Sequence, residues 1–295
     1  MWFIKYRKIF YIIASSLAIT SIVFLTMWGL KLGIDFTGGT LWEMEFSGNL
    51  PTSAEISSVL TSEGLTASTI QPAGDKGYIL RFSPLEENQH QSALSAMEKK
   101  FGTIDELRFE AIGPSIGKEL RDKAIYAIFL SIIVVIIYVA AAFRKVEKVV
   151  SSWAYGGLVI LSMTHDVLVP LGVFAVLGKF FNVEITATFV AAILTIAGYS
   201  INDTIVVFDR VRENLRRHTH DEFTALVGAS IKQTIARSIN TTLTTLLALV
   251  GVYFFGGEST KYFALCLIIG IFSGAYSSIF IASPLLVSWS LWRNK

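Results

Sequence analysis

The amino-acid sequence predicts a membrane protein in which six transmembrane α-helices carry one small α+β domain. The 295 residues are 53% hydrophobic and only 16% charged, which is too apolar for an ordinary soluble domain. Six apolar stretches are long enough to cross a bilayer, since a span needs about 20 residues. One polar segment, residues 31–121, separates the first stretch from the other five.

The first span is predicted within residues 1–30. Ile9 to Leu30 is a run of 22 residues without a charge. A signal peptide has a shorter apolar core and a small-residue cleavage site, so this run is interpreted as a retained helix. The later spans form a five-helix domain over residues 122–295. They are predicted at 124–143, 150–178, 185–208, 238–257 and 262–292.

The basic residues predict the orientation of these spans. Short loops on one side hold only Lys179 and Lys261. The other side holds Lys5, Arg7, Lys8, Arg144, Lys145, Lys148, Arg210, Arg212, Arg216, Arg217, Lys232, Arg237, Arg293 and Lys295. Excess Lys and Arg in short loops marks the cytoplasm, so both termini are predicted to be cytoplasmic and residues 31–121 to be exported.

The exported segment alternates between strand and helix patterns. Its order is β-α-β-β-α-β, which is that of a ferredoxin-like unit with a four-stranded sheet and two helices on one face. Leu41, Met44, Ile79 and Phe109 cannot all point to one face of that sheet. The predicted elements are 41–46, 51–63, 67–71, 78–82, 85–101 and 104–111. No His, Cys and Asp cluster suggests catalysis there, so a scaffold or contact role is the expectation.

Two further segments have residue patterns that predict how helices contact their surroundings. Apolar residues at helical spacing predict a cytoplasmic amphipathic helix over residues 219–236, which either lies in the membrane interface or docks on the cytoplasmic ends of other spans. In the last span, Gly270 and Gly274 form a Gly-x-x-x-Gly pattern, which predicts close approach of another helix.

Titratable side chains inside apolar spans are the candidate functional residues. His165 and Asp166 lie in the third span, Asp203 lies in the fourth, and Arg237 stands at the entry to the fifth. Such residues are costly in a bilayer and usually mark an ion or proton path. At a rise of about 1.5 Å per residue, Asp203 and Arg237 lie at about the same depth, which predicts an ion pair.

His165 is predicted about one and a half helical turns nearer the exported face than Asp203. Hydroxyl and amide groups are expected to bridge that gap. They belong to Thr195, Asn240, Thr241, Thr244 and Thr245. Asn202 is placed in the same polar set, although it points about 100° away from Asp203, toward another neighbour.

Two interpretations of these polar residues stay open. The Asp203–Arg237 pair either carries protons or is a static ion pair. The His165–Asp166 pair either takes part in proton transfer or caps a helix contact. The sequence has no Walker-type glycine loop and no Cys/His metal spacing, so no cofactor, metal or catalytic residue is predicted.

Three segments carry a family resemblance: Gly33-Ile-Asp-Phe-Thr-Gly-Gly-Thr40, Gly113-Pro-Ser-Ile-Gly-Lys-Glu-Leu120, and the stretch from Gly198 to Asn214 that contains Ile-Asn-Asp-Thr. Together they resemble the SecD/SecF family of protein-export membrane proteins, within the resistance-nodulation-division superfamily of proton-driven transporters. The resemblance implies use of the proton-motive force in protein export, with Asp203 and Arg237 essential. It implies that this chain supplies six of twelve spans.

The resemblance also implies partners and a location. The implied partners are SecD as an obligate partner, the SecYEG channel, YajC, YidC, the translocating preprotein and membrane lipid, with no nucleic acid. The implied location is the bacterial inner membrane, with residues 31–121 in the periplasm.

Three other functions remain as alternatives. The first is half of a proton-driven small-molecule or lipid exporter, although such exporters carry much larger exported domains. The second is an intramembrane hydrolase built on His165 and Asp166, and the third is a purely structural scaffold. Co-purification of SecD and the channel with the solubilised chain would separate these alternatives.

Overall fold

The computed structural model describes residues 2–142, 152–217 and 222–293. It divides into two compact units. One unit consists of Met1–Lys31 and Tyr126–Lys295, and the other of Leu32–Ile125.

Within these described ranges, six helices are long and apolar enough to cross a membrane, which agrees with the predicted number of spans. The first span is Arg7–Trp28, after a short helix Trp2–Lys5, and the second is Pro114–Ala142. The third, fourth and fifth spans are Ser152–Phe181, Ala187–Arg217 and Phe223–Phe255. The sixth span consists of an α-helix Glu258–Ser277, a π-helical segment Ser278–Ala282 and an α-helix Ser283–Arg293.

The π-helical segment interrupts the sixth span near its middle. Ser283 Oγ donates to the carbonyl oxygen of Ser278 at 2.8 Å, five residues earlier, and thereby supports the wider turn. Single π-turns inside α-helices frequently occur at functional sites. This one begins next to two serines of the candidate site.

The predicted amphipathic helix is not a separate element. The fifth span runs without a break from Phe223 to Phe255, and Leu226, Val227 and Ile231 at its start are buried in the core of the membrane unit. Their burial against other spans fits docking, and it rules out a helix lying in the membrane interface. Residues 219–221 of that prediction lie outside the described residues.

The two glycines in the last span serve close packing, as their spacing predicts. A Cβ atom added to Gly270 would clash with the side chain of Ile196 in the fourth span. One added to Gly274 would lie 3.5 Å from Ser200 and 3.7 Å from Asp166 Oδ2. The sixth span therefore packs closely on the fourth at the level of the polar residues.

The second unit has the predicted β-α-β-β-α-β order. A short helix, Ile34–Thr37, precedes it. Its elements are β1 Gly39–Phe46, α1 Ser53–Ser62, β2 Thr69–Ala73, β3 Gly77–Phe82, α2 Glu87–Phe101 and β4 Ile104–Ile112. The strands pair antiparallel in the order β2-β3-β1-β4. Alternation along β1 buries Trp42, Met44 and Phe46 on one face and leaves Leu41 on the other.

Gly38 and Gly39 stand where β1 begins, and both have positive φ, 75° and 128°. A Cβ on Gly39 would lie 2.7 Å from the carbonyl oxygen of Phe82, and one on Gly38 would lie 2.8 Å from Pro114 Cα. Only glycine fits both the conformation and the space. Two of the sequence segments that carry the family resemblance therefore pack against each other in this unit.

Candidate functional site

Asp203 is buried in the membrane unit and is held by two serines. Ser238 Oγ of the fifth span donates to Asp203 Oδ1 at 2.7 Å, and Ser278 Oγ of the sixth donates to Oδ2 at 2.6 Å. Only 5% of Asp203 is exposed. An ionised carboxylate has about four lone-pair sites, so two sites of Asp203 have no donor among the described residues.

Asp166 is completely buried and receives four hydrogen bonds. His165 Nδ1 and Ser273 Oγ each lie 2.9 Å from Oδ1. Ser200 Oγ donates to Oδ2 at 2.6 Å, and Ser277 Oγ also donates to Oδ2. All the lone-pair sites of this carboxylate are therefore filled by donors.

Adjacent serines of the sixth span join the two carboxylates. Ser277 bonds to Asp166 and Ser278 bonds to Asp203, at the point where the α-helix changes to a π-helix. Each serine also has a second acceptor on its own helix, since Ser277 Oγ lies 3.2 Å from Gly274 O and Ser278 Oγ lies 3.2 Å from Ala275 O. Each hydroxyl hydrogen can thus turn from its carboxylate to a backbone carbonyl.

His165 is bonded through one ring nitrogen. Its Nδ1 faces Asp166, while Nε2 is buried and has no hydrogen-bond partner among the described residues. Ser273 Oγ approaches the same Nδ1, at 3.5 Å. A hydrolytic triad needs the nucleophile and the carboxylate on opposite nitrogens of the imidazole, so these residues do not form one.

The predicted ion pair between Asp203 and Arg237 is wrong for this chain. Within the described residues no ion pair joins them, and Arg237 is exposed on the outer side of the fifth span. Arg237 does lie at about the depth of Asp203, because the next residue, Ser238, contacts Asp203. Each residue turns a helix by about 100°, so the residue that faces Asp203 is Ser238 and Arg237 points away.

The predicted bridging groups also lie elsewhere. Thr195 and Thr244 are exposed, and their hydroxyls donate to carbonyl oxygens of their own helices. Asn240 is exposed as well. Asn202 is also exposed, which agrees with its predicted direction away from Asp203. These side chains form polar stripes on the outer sides of the fourth and fifth spans and do not line a path between His165 and Asp203.

Serines that the sequence prediction left out of the candidate site hold the two buried carboxylates. The set is Ser200, Ser238, Ser273, Ser277 and Ser278. Two signals were available: Ser200 stands three residues before Asp203, which places both on one face of the helix, and Ser273 and Ser277 stand three residues after Gly270 and Gly274. Within the described ranges, no three His, Cys, Asp or Glu side chains come together as a metal site.

The chain matches two families of sequences. Residues 92–292 match the family described as protein export membrane protein SecD/SecF, C-terminal, and residues 23–49 match the SecD/SecF GG motif. The protein translocase subunit SecF of Thermobaculum terrenum is 42% identical over 97% of this chain and 93% of its own length. That of Synechocystis is 36% identical over 98% of this chain and 94% of its own.

Solved structures of SecDF resemble the whole chain. One is the crystal structure of SecDF from Thermus thermophilus, which is described as a translocon-associated membrane protein. It superposes with a TM-score of 0.85 at 32% identity and covers 100% of this chain. SecDF in a super-membrane-facing form superposes with a TM-score of 0.66 at 31% identity. This chain spans only 39% and 38% of those two longer chains.

Proposed function

Because the chain belongs to the SecD/SecF family of protein-export membrane proteins, we propose that it acts as the SecF half of a SecD–SecF unit. As a member of that family it is an accessory subunit of the Sec protein translocase. In the proposal, the unit uses the proton-motive force to promote export of preproteins across the bacterial inner membrane.

The observation that carries the proposal is the environment of Asp203. This carboxylate is buried in an apolar bundle, two hydroxyls bond to it, and no cation pairs with it among the described residues. A buried carboxylate without a counter-charge is costly, and a proton removes that cost. Two open lone-pair sites let Asp203 accept the proton without losing either serine.

Protonation also changes the contacts of the sixth span. A protonated Asp203 also has an O–H to donate, and one of the two serines can become its acceptor. Ser278 is suited to this, because its hydrogen can turn to the carbonyl oxygen of Ala275. The proton would thereby alter bonding at the start of the π-helical segment, which is a place where the helix can shift.

The available energy is adequate for such a shift. One proton crossing about 100 mV supplies about 2.3 kcal/mol. Moving a two-state equilibrium from about 1:99 to 99:1 takes about 5.5 kcal/mol, so about three protons suffice. A pH gradient adds to the electrical term.

The polar stripes on the fourth and fifth spans support SecD as the partner. Thr195 and Asn202 on one helix, and Arg237 and Asn240 on the other, are exposed at positions that a bilayer would surround. Polar side chains in a membrane normally face protein. A second set of six spans from SecD would cover them and could supply a carboxylate for Arg237.

The remaining assignments rest on the family. The expected further contacts are the SecYEG channel, YajC, YidC and the translocating preprotein. The excess of basic residues supports cytoplasmic termini, with residues 31–121 in the periplasm.

The test is preprotein translocation in inverted membrane vesicles that contain this chain with SecD, driven by a proton gradient after ATP is exhausted. Asp203→Asn keeps the size of the side chain but cannot exchange a proton. It should abolish gradient-driven translocation while SecD still co-purifies.

The matched control is Asp209→Asn, six residues further along the same helix. The side chain of Asp209 is 66% exposed and pairs at 3.5 Å with Arg212. This variant should translocate like the wild type. If Asp203→Asn translocates equally well, Asp203 is structural and the proposed function fails.

A further inference from the structure

The two buried aspartates of the bundle cannot play the same part in proton transfer. Asp203 accepts two hydrogen bonds and Asp166 accepts four. A proton on Asp166 would have to displace one of its donors or turn one away from the carboxylate. The four donors around Asp166 therefore favour its ionised form.

An ionised Asp166 needs a positive charge nearby. A fully buried charge without a counter-ion is strongly destabilising. Among the described residues, the only basic side chain that contacts Asp166 is His165, through Nδ1. If Nδ1–H donates to Asp166, the second nitrogen, Nε2, determines whether the ring is neutral or positive.

The Nε2 atom is free to take a proton. It is buried, no described atom bonds to it, and 8% of His165 is exposed. A proton that binds there converts the ring to imidazolium and completes an ion pair with Asp166. The Nδ1–H bond to Asp166 is unchanged by this step, and the proton leaves by the same nitrogen.

We propose that His165 is a second proton-binding group of the bundle, which accepts the proton at Nε2, and that Asp166 is its fixed counter-ion. The proposal rests on the proton-coupled function proposed above. It adds a division of labour: His165 and Asp203 exchange protons, whereas Asp166 keeps its charge.

The groups around His165 fit this assignment. Among the described side chains, the other titratable residues on the helices packed against the third span are Arg7, Lys8, Tyr11, Tyr199, Asp203, Asp209, Arg210, Arg212, Glu213, Arg216, Arg217, Lys261, Tyr262, Cys266, Tyr276 and Arg293. Within the described part of the chain, the polar groups that contact His165 itself are Asp166 and Ser273. Asp203 is connected to the same site through Ser277 and Ser278, so a charge change at His165 and one at Asp203 act on adjacent residues of the sixth span.

The test uses His165→Asn. The amide nitrogen of Asn stands near the position of Nδ1 and can still donate to Asp166, but the Nε2 site is removed. In the vesicle assay, with the pH of the proton-supplying side varied, the variant should lose about tenfold or more of gradient-driven translocation, as expected for removal of a proton-transfer group. The remaining activity should lack one pH-dependent step that the wild type shows.

A second measurement does not depend on transport. The chain has four histidines. With ¹⁵N-labelled imidazoles in the solubilised complex with SecD, one unprotonated Nε2 signal should disappear on acidification, and that signal should be missing from His165→Asn. If the signal of His165 remains unprotonated at every pH at which the complex is folded, the proposal is overturned.

The failures of the two proposals can be told apart. If Asp203→Asn is inactive and His165→Asn keeps the wild-type pH profile, the second proton site is refuted and the proposed function stands. If Asp203→Asn is active, the proposed function fails, and the ¹⁵N titration still decides whether His165 binds a proton.

Discussion

Each unit of the chain buries one histidine against carboxylates, and the two pairs differ at the second ring nitrogen. In the ferredoxin-like unit, His90 Nε2 lies 2.6 Å from Glu106 Oε2, and Nδ1 lies 3.4 Å from Glu87 Oε1. In the membrane unit, only Nδ1 of His165 has a partner within the described part of the chain. His90 is saturated and His165 has one nitrogen open, which distinguishes a structural contact from a site able to exchange a proton.

The carboxylates of the two pairs are solvated differently. The Glu106 side chain is 29% exposed, so water can donate to the lone pairs of its carboxylate that no protein group reaches. That of Asp166 is 0% exposed, and serines take the place of water. Replacing the carboxylate by an amide should therefore lower the free energy of unfolding much more in the membrane unit than in the ferredoxin-like unit.

The largest expected effect is that of Asp166→Asn on stability. An amide has one oxygen and adds two hydrogens, so at least two of the four donors lose their acceptor. At about 1–3 kcal/mol for each stranded buried group, the free energy of unfolding should fall by about 3 kcal/mol or more. Thermal unfolding of the solubilised chain measures it. Asp209→Asn is the control, and a shift as small as that of the control would contradict the four-donor description of Asp166.

The sequence predicted the ferredoxin-like unit well, because its core follows a simple alternation. Trp42, Met44 and Phe46 point inward at every second position of β1, and turn residues mark the ends of the elements. It also predicted which carboxylates would be buried. It did not predict their partners, because serine is common in spans and helical depth leaves the facing direction undetermined by up to half a turn. Arg237 and Ser238 are adjacent in the sequence, and Ser238 is the one that contacts Asp203.

A smaller effect is expected for Glu106→Gln. The variant keeps an acceptor for His90 but loses the charge that strengthens a 2.6 Å bond. His90 remains packed between Phe109, stacked at 3.8 Å, and Trp42, at 4.7 Å between ring centroids. The free energy of unfolding of this unit should fall by about 1 kcal/mol, partly offset by solvent. Hydrogen exchange of the β1 and β4 amides in the intact chain measures it, and a loss equal to that of Asp166→Asn would break the comparison.

The two serines on Asp203 should differ in their effect on transport. Ser278 has a second acceptor, Ala275 O, whereas Ser238 donates to Asp203 alone among its described contacts. Ser278→Ala removes the group that can turn to accept the proton of Asp203, and should slow gradient-driven translocation by about tenfold, which corresponds to 1.4 kcal/mol. Ser238→Ala should slow it several times less. Equal rates for the two variants would show that hydroxyl reorientation at Ser278 is unimportant.

The smallest effect is expected at an exposed carboxylate that accepts similar bonds in water. Glu55 Oε2 accepts from Thr52 N and from Thr52 Oγ1, both at 2.8 Å, in the capping box that starts α1. The backbone N–H of Thr52, and then its hydroxyl, lower the pKa of Glu55 below its ordinary value of 4.5. A lowered folded-state pKa means that the stabilisation is present above pH 4.5 and is lost as the pH falls through the lower folded-state value.

Glu55→Gln should therefore reduce the stability of the ferredoxin-like unit slightly at neutral pH and flatten its decline in acid. Glu63→Gln is the matched control, since Glu63 is exposed at the other end of the same helix. Thermal unfolding of the intact chain across the acid range measures both variants. A decline in acid as steep as that of the wild type would mean that the bonds of Thr52 to Glu55 do not form in solution. A loss of stability at neutral pH as large as that of Asp166→Asn would show that burial does not explain the difference between the two units.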